Sequence, residues 1–236
     1  MTGRLYLIKA RNGQAARFKP PGADYSIPNH WLFLPIKRVV ETKITDGPHE
    51  TPTILENGVP FLSAESVKNN SLDFSLKRGF ISQEDHGAFS RKCKPQRDDI
   101  FMVKSGATTG NLAIVEVDEE FSIWSPLALI RADKTKMSPQ FLFYVLLNPY
   151  FQQQVELSWS FGTQQNIGMG VIENLSVPIP PLSEQRTIVA YLERALSEMD
   201  ELKVTLLDSL GLLAQRRAAL IAEAVTGRLK QTTRPT

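Results

Sequence analysis

The sequence has little of what builds disulfide-bonded, metal-binding or membrane-spanning proteins. Its 236 residues contain one cysteine, Cys93, and three histidines, which excludes an internal disulfide framework and a cysteine-rich metal site. No apolar run approaches the ~20 residues that a membrane-spanning helix needs, and the N-terminus lacks the apolar core of a signal peptide. We therefore expect a cytoplasmic protein that holds no cofactor and no metal.

The sequence also lacks a recognisable catalytic motif. Ser105–Gly110 (SGATTG) has neither the lysine nor the spacing of a phosphate-binding loop, and a turn between two strands explains it better. Asn148-Pro149-Tyr150 lacks the second proline of the Asn-Pro-Pro-Tyr signature of amino-methyltransferases, and no glycine-rich cofactor loop precedes it. Asp46, His49 and Glu50 are better explained by a loop with Asx-turn bonding than by a metal site. We predict that the chain is not an enzyme.

Charge is unevenly distributed, although the formal net charge is only +2. Residues 1–97 hold 15 Lys and Arg against 9 Asp and Glu, whereas residues 98–182 hold 4 against 9. This polarity is typical of a protein with one face toward a polyanion. A solvated surface with a chance imbalance gives the same counts, so charge alone leaves both interpretations open.

The pattern before residue 182 predicts a mixed α/β domain at residues 31–181, preceded by a basic extension at residues 1–30. Ser138 followed by Pro139 is a strong helix start, with an apolar face reaching Phe151. Residues 63–97 are polar and are predicted to be irregular. Short strands are predicted at Gly58–Leu62, Asp99–Val103, Leu112–Val117, Leu127–Arg131 and Ile172–Pro178.

A long helix is predicted at residues 182–227, followed by a short tail at 228–236. No proline occurs between Ser183 and Gly227. Ser183 suits the N-cap, Glu184 suits the first turn, and Gly227 suits the C-terminal stop. At 1.5 Å per residue such a helix spans ~65 Å, which is longer than a domain of ~150 residues can cover.

Apolar residues of this helix recur at steps of four and three, which is typical of a coiled-coil seam. The strict spacing meets Ser209 and Arg216, and a stutter through Leu210 keeps the seam apolar. Gly211 leaves open a break into two shorter helices. The residues predicted to pair with a second helix are Ile188, Leu192, Ala195, Met199, Leu202, Leu206, Leu210, Leu213 and Leu220.

Several motifs, taken in order, resemble the specificity subunits of type I restriction–modification enzymes. The junction of a proline-rich segment with the long helix is the most specific of them. The motifs are Trp31, ITDGPH (44–49), GVPFL (58–62), DDIFMVKSGATTG (98–110), QFLFYVL (140–146), GTQQNI (162–167), VPIPPLSEQR (177–186) and AEAVTGRL (222–229). The resemblance covers roughly residues 29–229.

The resemblance implies a target-recognition domain that reads a short half-site in the DNA major groove, and a helix that acts as a spacer and as a platform for modification subunits. A full subunit of that family has two recognition domains and two long helices, whereas this sequence has one of each. Thr2-Gly3-Arg4-Leu5 also recurs at 226–229. A natural half-subunit and one half of a longer chain both fit.

The expected partners are double-stranded DNA, methyltransferase (modification) subunits, restriction subunits as a further candidate, and a second copy of the chain through the long helix. The competing hypothesis is a coiled-coil interaction module that reads no DNA. Side chains able to contact phosphates or base edges concentrate in residues 63–97 and in GTQQNI. The candidates are Lys68, Asn69, Lys77, Arg78, Arg91, Lys92, Lys94, Thr163, Gln164 and Gln165.

Overall fold

The computed structural model describes residues 7–8, 17–18, 26–161 and 165–228, with only the backbone at 7–8, 17–18 and 160–161. The chain divides into two units, residues 1–187 and 188–236. The strands of the described part are β1 (Leu7–Ile8), β2 (Arg17–Phe18), β3 (Ile27–Pro28), β4 (Leu32–Pro35), β5 (Thr45–Asp46), β6 (Val59–Leu62), β7 (Val67–Lys68), β8 (Ser71–Leu72), β9 (Gly79–Ile81), β10 (Ile100–Val103), β11 (Leu112–Ile114), β12 (Ser122–Ile123), β13 (Leu127–Ile130), β14 (Ser160–Phe161), β15 (Gln165–Asn166) and β16 (Ser176–Ile179).

The described part also contains α-helices and short 3-10 helices. The α-helices are α1 (Gln83–Ser90), α2 (Pro139–Leu147), α3 (Pro149–Leu157), α4 (Met169–Ile172) and α5 (Leu182–Val225). The 3-10 helices are Ile36–Arg38, Ala64–Ser66 and Phe74–Leu76. None of the helices in these ranges is long and apolar enough to cross a membrane.

The central sheet is antiparallel, in the order β11-β10-β13-β5. Strand β10 is apolar at every position because both faces of the sheet are covered. Phe101 and Val103 join a core cluster with Leu62 and Ile123 of the second sheet, whose order is β12-β6-β9. Ile100 and Met102 point to the opposite face by strand alternation and are also fully buried, and α2 packs against β11.

The single cysteine belongs to this core. Cys93 is 4% exposed and packs in the same cluster as Phe101. Burial raises the pKa of its thiol to about 12, so the thiolate that reacts or binds metals is not formed near neutral pH.

Residues 63–97 were predicted to be irregular, but the structure shows regular elements there. They contain helix α1, which Ser82 caps by accepting a hydrogen bond from the Asp85 backbone N–H at 3.0 Å. They also contain the short strands β7, β8 and β9. The prediction was wrong because His86 is the one buried residue of α1, so the helix has no apolar stripe for a sequence pattern to show.

The helix predicted to run from Ser138 to Phe151 is two helices. Ser138 caps α2 as predicted, but α2 ends at Leu147. Asn148 has an extended backbone because Pro149 follows it, and its side chain caps α3 through the Tyr150 N–H at 2.9 Å. Likewise, the segment predicted as a strand from Ile172 begins with the last residue of α4, and β16 starts only at Ser176.

The long helix α5 is continuous over 44 residues, so the alternative of a break at Gly211 is not observed. It begins at Leu182, so Ser183 lies in the first turn. The prediction that Ser183 is the N-cap was therefore wrong. The predicted stop at Gly227 is confirmed: Gly227 has φ +69, and the N–H of Arg228 bonds to Glu223 O at 2.9 Å in a Schellman arrangement. A mixed α/β domain followed by one long C-terminal helix is the fold predicted from the sequence.

Candidate functional site

A groove of about 760 Å³ opens on the N-terminal unit, lined by residues from the segments 63–69, 105–111 and 124–126. Two predicted contact residues, Lys68 and Asn69, line it. The other lining side chains that carry polar groups were not singled out from the sequence. They are Ser63, Glu65, Ser105, Thr108, Asn111 and Trp124.

The first wall of the groove is a hydrogen-bonded turn followed by a hairpin with a two-residue loop. Ser63 and Ser66 are buried, and the Ser66 hydroxyl donates to Leu76 O at 3.1 Å. Strands β7 and β8 then pair with each other, and Lys68 lies opposite Ser71. The connecting residues Asn69 and Asn70 both have positive φ, +52 and +63, which is the conformation of a tight type I′ turn and one that asparagine tolerates. Lys68 and Asn69 are therefore exposed on a short, defined hairpin.

The second wall is the turn predicted from SGATTG. Gly106 has φ +101, which favours glycine, and the Thr109 hydroxyl donates to its carbonyl at 2.7 Å. The Gly106 N–H donates to Gln165 O at 3.0 Å, so hairpin β14–β15 braces this turn through its backbone. The Gln165 side chain is exposed, whereas Thr163 and Gln164 lie outside the described residues.

The groove lining also includes an aromatic side chain. Trp124 lines the groove, and the guanidinium of Arg78 lies 4.1 Å from the centroid of its ring. This cation–π contact holds an exposed cation at the groove edge. Lys77 is placed differently, with its ammonium donating to Phe74 O at 3.2 Å and lying 4.9 Å from the centroid of the Phe80 ring.

The remaining predicted cations lie outside the groove lining, and most of them have acidic partners. Lys94 pairs with Glu120 at 2.9 Å, and Lys92 pairs with Asp46 at 2.6 Å. Arg91 is exposed and makes no ion pair with a described residue.

Asp46 is the centre of a buried charge cluster. Its side chain is 1% exposed, and Lys104, itself 14% exposed, lies 3.2 Å from its second oxygen. Burial by itself raises the pKa of Asp46, but the hydrogen bonds and charges of Lys92 and Lys104 outweigh it and hold that pKa below its ordinary value. Gly47 is required beside it, because a Cβ there would lie 2.0 Å from Ile123 O. The ITDGPH motif thus holds the central sheet, the second sheet and Lys92 together.

The same cluster does not resemble a metal site. His49 lies 3.5 Å from Asp46 but is 71% exposed, and Glu50 is exposed. In the described part of the chain, no group of three or more His, Cys, Asp or Glu side chains is placed to hold a metal ion.

The start of α5 is anchored within the N-terminal unit by two polar residues of the SEQR sequence. Gln185 is fully buried; it accepts from the Ser138 N–H at 2.7 Å and donates to Pro180 O at 2.8 Å. Glu184 accepts from the Trp31 indole N–H at 2.9 Å. These contacts explain why the proline-rich entrance and Trp31 belong to one motif set.

The predicted pairing residues of α5 differ in exposure. Ile188, Leu192 and Ala195 are half-buried. Met199, Leu202, Leu206, Leu210, Leu213 and Leu220 are 47–64% exposed. Further exposed apolar residues, which the seam did not include, are Leu196, Val204, Leu207, Leu212, Ile221 and Val225. The helix therefore presents more apolar surface than one narrow seam.

Comparison with known proteins gives one family. The family model described as the type I restriction modification DNA specificity domain matches residues 28–210. The specificity subunit of the type I restriction enzyme EcoBI of Escherichia coli is 22% identical over 205 residues, which are 86% of this chain and 43% of that protein.

Two solved structures share the fold. One, from work on complex assembly and conformational transition of the type I R-M system, has a TM-score of 0.67 at 24% identity and is matched over 90% of this chain and 49% of its own. The HsdS subunit from Thermoanaerobacter tengcongensis has a TM-score of 0.59 at 23% identity, over 89% of this chain and 47% of its own. The chain thus spans about half the length of the relatives that it matches.

Proposed function

The chain belongs to the type I restriction–modification DNA specificity domain family, and from that premise we propose that it reads one half of a bipartite DNA target as the non-catalytic specificity component of a methyltransferase complex in the cytoplasm. Modification subunits, and restriction subunits where the complex cleaves DNA, are its proposed protein partners. These partner subunits carry out methylation and cleavage, whereas the specificity component recognises the DNA sequence.

The groove carries this proposal. It places Lys68 and Asn69 at the tip of a defined hairpin, opposite the hydroxyl-bearing turn that contains Thr108. An ammonium group fixes register on phosphates, and an amide side chain can bond to a base edge. Lys68, Arg78 and Arg91 make no ion pair among the described residues, whereas a phosphate would have to displace the carboxylate partners of Lys92 and Lys94. We therefore assign the first DNA contacts to the groove and its edge.

The long helix supplies the second half of the proposal. Two copies pair antiparallel through the seam from Ile188 to Leu220, which places the domains that precede the two helices at opposite ends of the pair. A helix of 44 residues spans ~66 Å at 1.5 Å per residue, close to two duplex turns of ~34 Å each. A palindromic target with two half-sites and a nonspecific spacer follows.

The test of the proposed function is a map of DNA methylation in cells with and without this gene. We expect one bipartite methylation motif to disappear when the gene is deleted. An unchanged methylation map would refute the proposal and favour the interaction module that reads no DNA.

Lys68→Ala should weaken duplex binding by a similar factor for every DNA sequence, because a phosphate contact carries no sequence information. The logarithm of the binding constant of a DNA reader falls with that of salt concentration, with a slope near −0.9 per phosphate contacted. Loss of Lys68 should reduce the magnitude of that slope by about 1. Titration of a labelled duplex at several salt concentrations measures both quantities.

Lys94→Ala is the matched control, since it removes the same charge from a lysine already paired with Glu120. It should leave the slope near its original value. If Lys68→Ala and Lys94→Ala reduced the magnitude of the slope equally, the DNA contact would not be specific to the groove.

A further inference from the structure

One residue of the groove conflicts with simple phosphate binding. Glu65 is the one acidic residue among the described residues that line it, and its side chain is exposed. It lies in the same wall as Lys68 and Asn69. A carboxylate at this place repels the DNA backbone, so its presence in a DNA-reading groove needs a separate explanation.

Glu65 is held in place by its neighbours. It sits in the 3-10 turn Ala64–Ser66, and its carboxylate accepts a hydrogen bond from the hydroxyl of the buried Ser63. The Ser63 N–H in turn donates to the hydroxyl of Ser66 at 3.4 Å, and Ser66 is fully buried. The position of this carboxylate is therefore fixed by buried groups before any ligand binds.

Glu65 is also ionised near neutral pH. The hydrogen bond from Ser63 is the main cause that holds the pKa of Glu65 below its ordinary value, and the positive charge of Arg78 adds to it. No ion pair between Glu65 and Arg78 is formed in the described structure, so the carboxylate is not neutralised by direct contact. An ionised carboxylate can only accept hydrogen bonds, and it selects a ligand that donates.

We infer that Glu65 is a specificity-determining residue that accepts a hydrogen bond from the N4 amino group of a cytosine and so requires a C·G base pair in the half-site. This rests on the proposed function of the groove. In the major groove cytosine presents the N4 donor, guanine and thymine present acceptors, and adenine presents its N6 donor beside the N7 acceptor. The carboxylate repels acceptor atoms as it repels phosphates, so each of the three other bases places at least one acceptor against it.

The alternative role of Glu65 is structural, as the acceptor that closes the Ser63 turn. Glu65→Gln separates the two roles, because the amide oxygen still accepts from the Ser63 hydroxyl while the amide group adds a donor. The variant should therefore unfold at the same temperature as the original chain. Glu56→Gln is the control for the charge change, since Glu56 is exposed and lies outside the groove lining.

The experiment replaces the gene in its host by the Glu65→Gln or Glu56→Gln form and maps the methylated motif. We expect the motif to keep its length and spacing and to lose its preference at one C·G position, with discrimination there falling about tenfold or more. Glu56→Gln should leave the motif unchanged. An original half-site without any C·G pair would overturn the inference, and so would an unchanged motif in the Glu65→Gln cells.

Two further outcomes also decide the matter. Loss of all methylation in cells that contain folded Glu65→Gln protein would overturn the inference, since Glu65 would then serve assembly and not one base pair. If deletion of the gene leaves the methylation map unchanged, the proposed function fails first and the inference fails with it. A specific motif that depends on the gene but not on Glu65 refutes the inference alone.

Discussion

Asp46→Asn is expected to lower the free energy of unfolding of the N-terminal unit by about 3 kcal/mol, because breaking a buried ion pair leaves an uncompensated charge. The charge left behind is that of Lys104, whose side chain is 14% exposed, while the half-exposed Lys92 can turn toward water. For a unit of this size the loss corresponds to a fall in Tm of roughly 10 °C. Thermal unfolding followed by circular dichroism measures it.

The effect of Asp46→Asn should depend on pH in one direction. The pKa of Asp46 is lowered in the folded protein, so its contribution is fully present above the pKa of the unfolded state, about 3.9. The contribution is lost as pH falls through the lower pKa of the folded state. The difference in stability between the original chain and Asp46→Asn should therefore be constant near neutrality and shrink below about pH 4.

Asp118→Asn is the matched control for this prediction. Asp118 pairs with Arg97 through two hydrogen bonds of 2.7 Å, a better geometry than that of the Asp46 cluster, but its side chain is 77% exposed. Exposed ion pairs contribute little to stability, because water screens both charges. If the two substitutions destabilised the chain equally, burial would not be the source of the Asp46 effect.

The sequence predicted the scaffold well because the scaffold residues come in local motifs. ITDGPH contains Asp46 and Gly47, which the structure places in the buried charge cluster. DDIFMVKSGATTG contains strand β10 and Lys104, and the helix entrance contains Gln185. In each case one short segment contains both the recognisable sequence pattern and the residue whose contacts explain it. The motif could therefore be recognised without knowledge of the fold.

The groove could not be predicted in the same way. Glu65, Thr108 and Trp124 come from three separate segments, and only the packing of the two sheets brings them together. No periodicity marks such residues. A local pattern did exist for the hairpin, since two consecutive asparagines between Lys68 and Ser71 favour a tight turn. The sequence shows residues 63–97 as one polar, basic region, whereas the structure separates a groove wall from cations held by Asp46 and Glu120.

The long helix was predictable because its pattern is repetitive and has no proline. The identity of its partner was not predictable, because an apolar face shows only that another apolar surface must pack against it. The described helix presents leucines beyond the seam, such as Leu207 and Leu212, at 58% and 66% exposure. A second copy along one seam leaves part of this surface for other helices, consistent with the proposed binding of modification subunits.

Leu202→Asp is expected to abolish self-pairing and leave the fold of each chain intact. In an antiparallel pair whose seam runs from Ile188 to Leu220, Leu202 lies close to the two-fold axis. Each copy loses the burial of one leucine, about 2 kcal/mol, and the symmetric pair loses it twice. A loss of about 4 kcal/mol raises the dimer Kd about a thousandfold, and repulsion between the two carboxylates adds to it. Sedimentation at micromolar concentration measures the change.

Val204→Asp is the control that makes this result specific. Val204 is 59% exposed, as is Leu202, and lies on the same helix but off the seam. The two variants add the same charge to equally exposed positions, so only the seam distinguishes them. If Val204→Asp dissociates the pair as strongly as Leu202→Asp, the seam is misassigned. If the original chain is already a monomer at micromolar concentration, self-pairing is refuted, and Leu202→Asp should then weaken only the binding of a modification subunit.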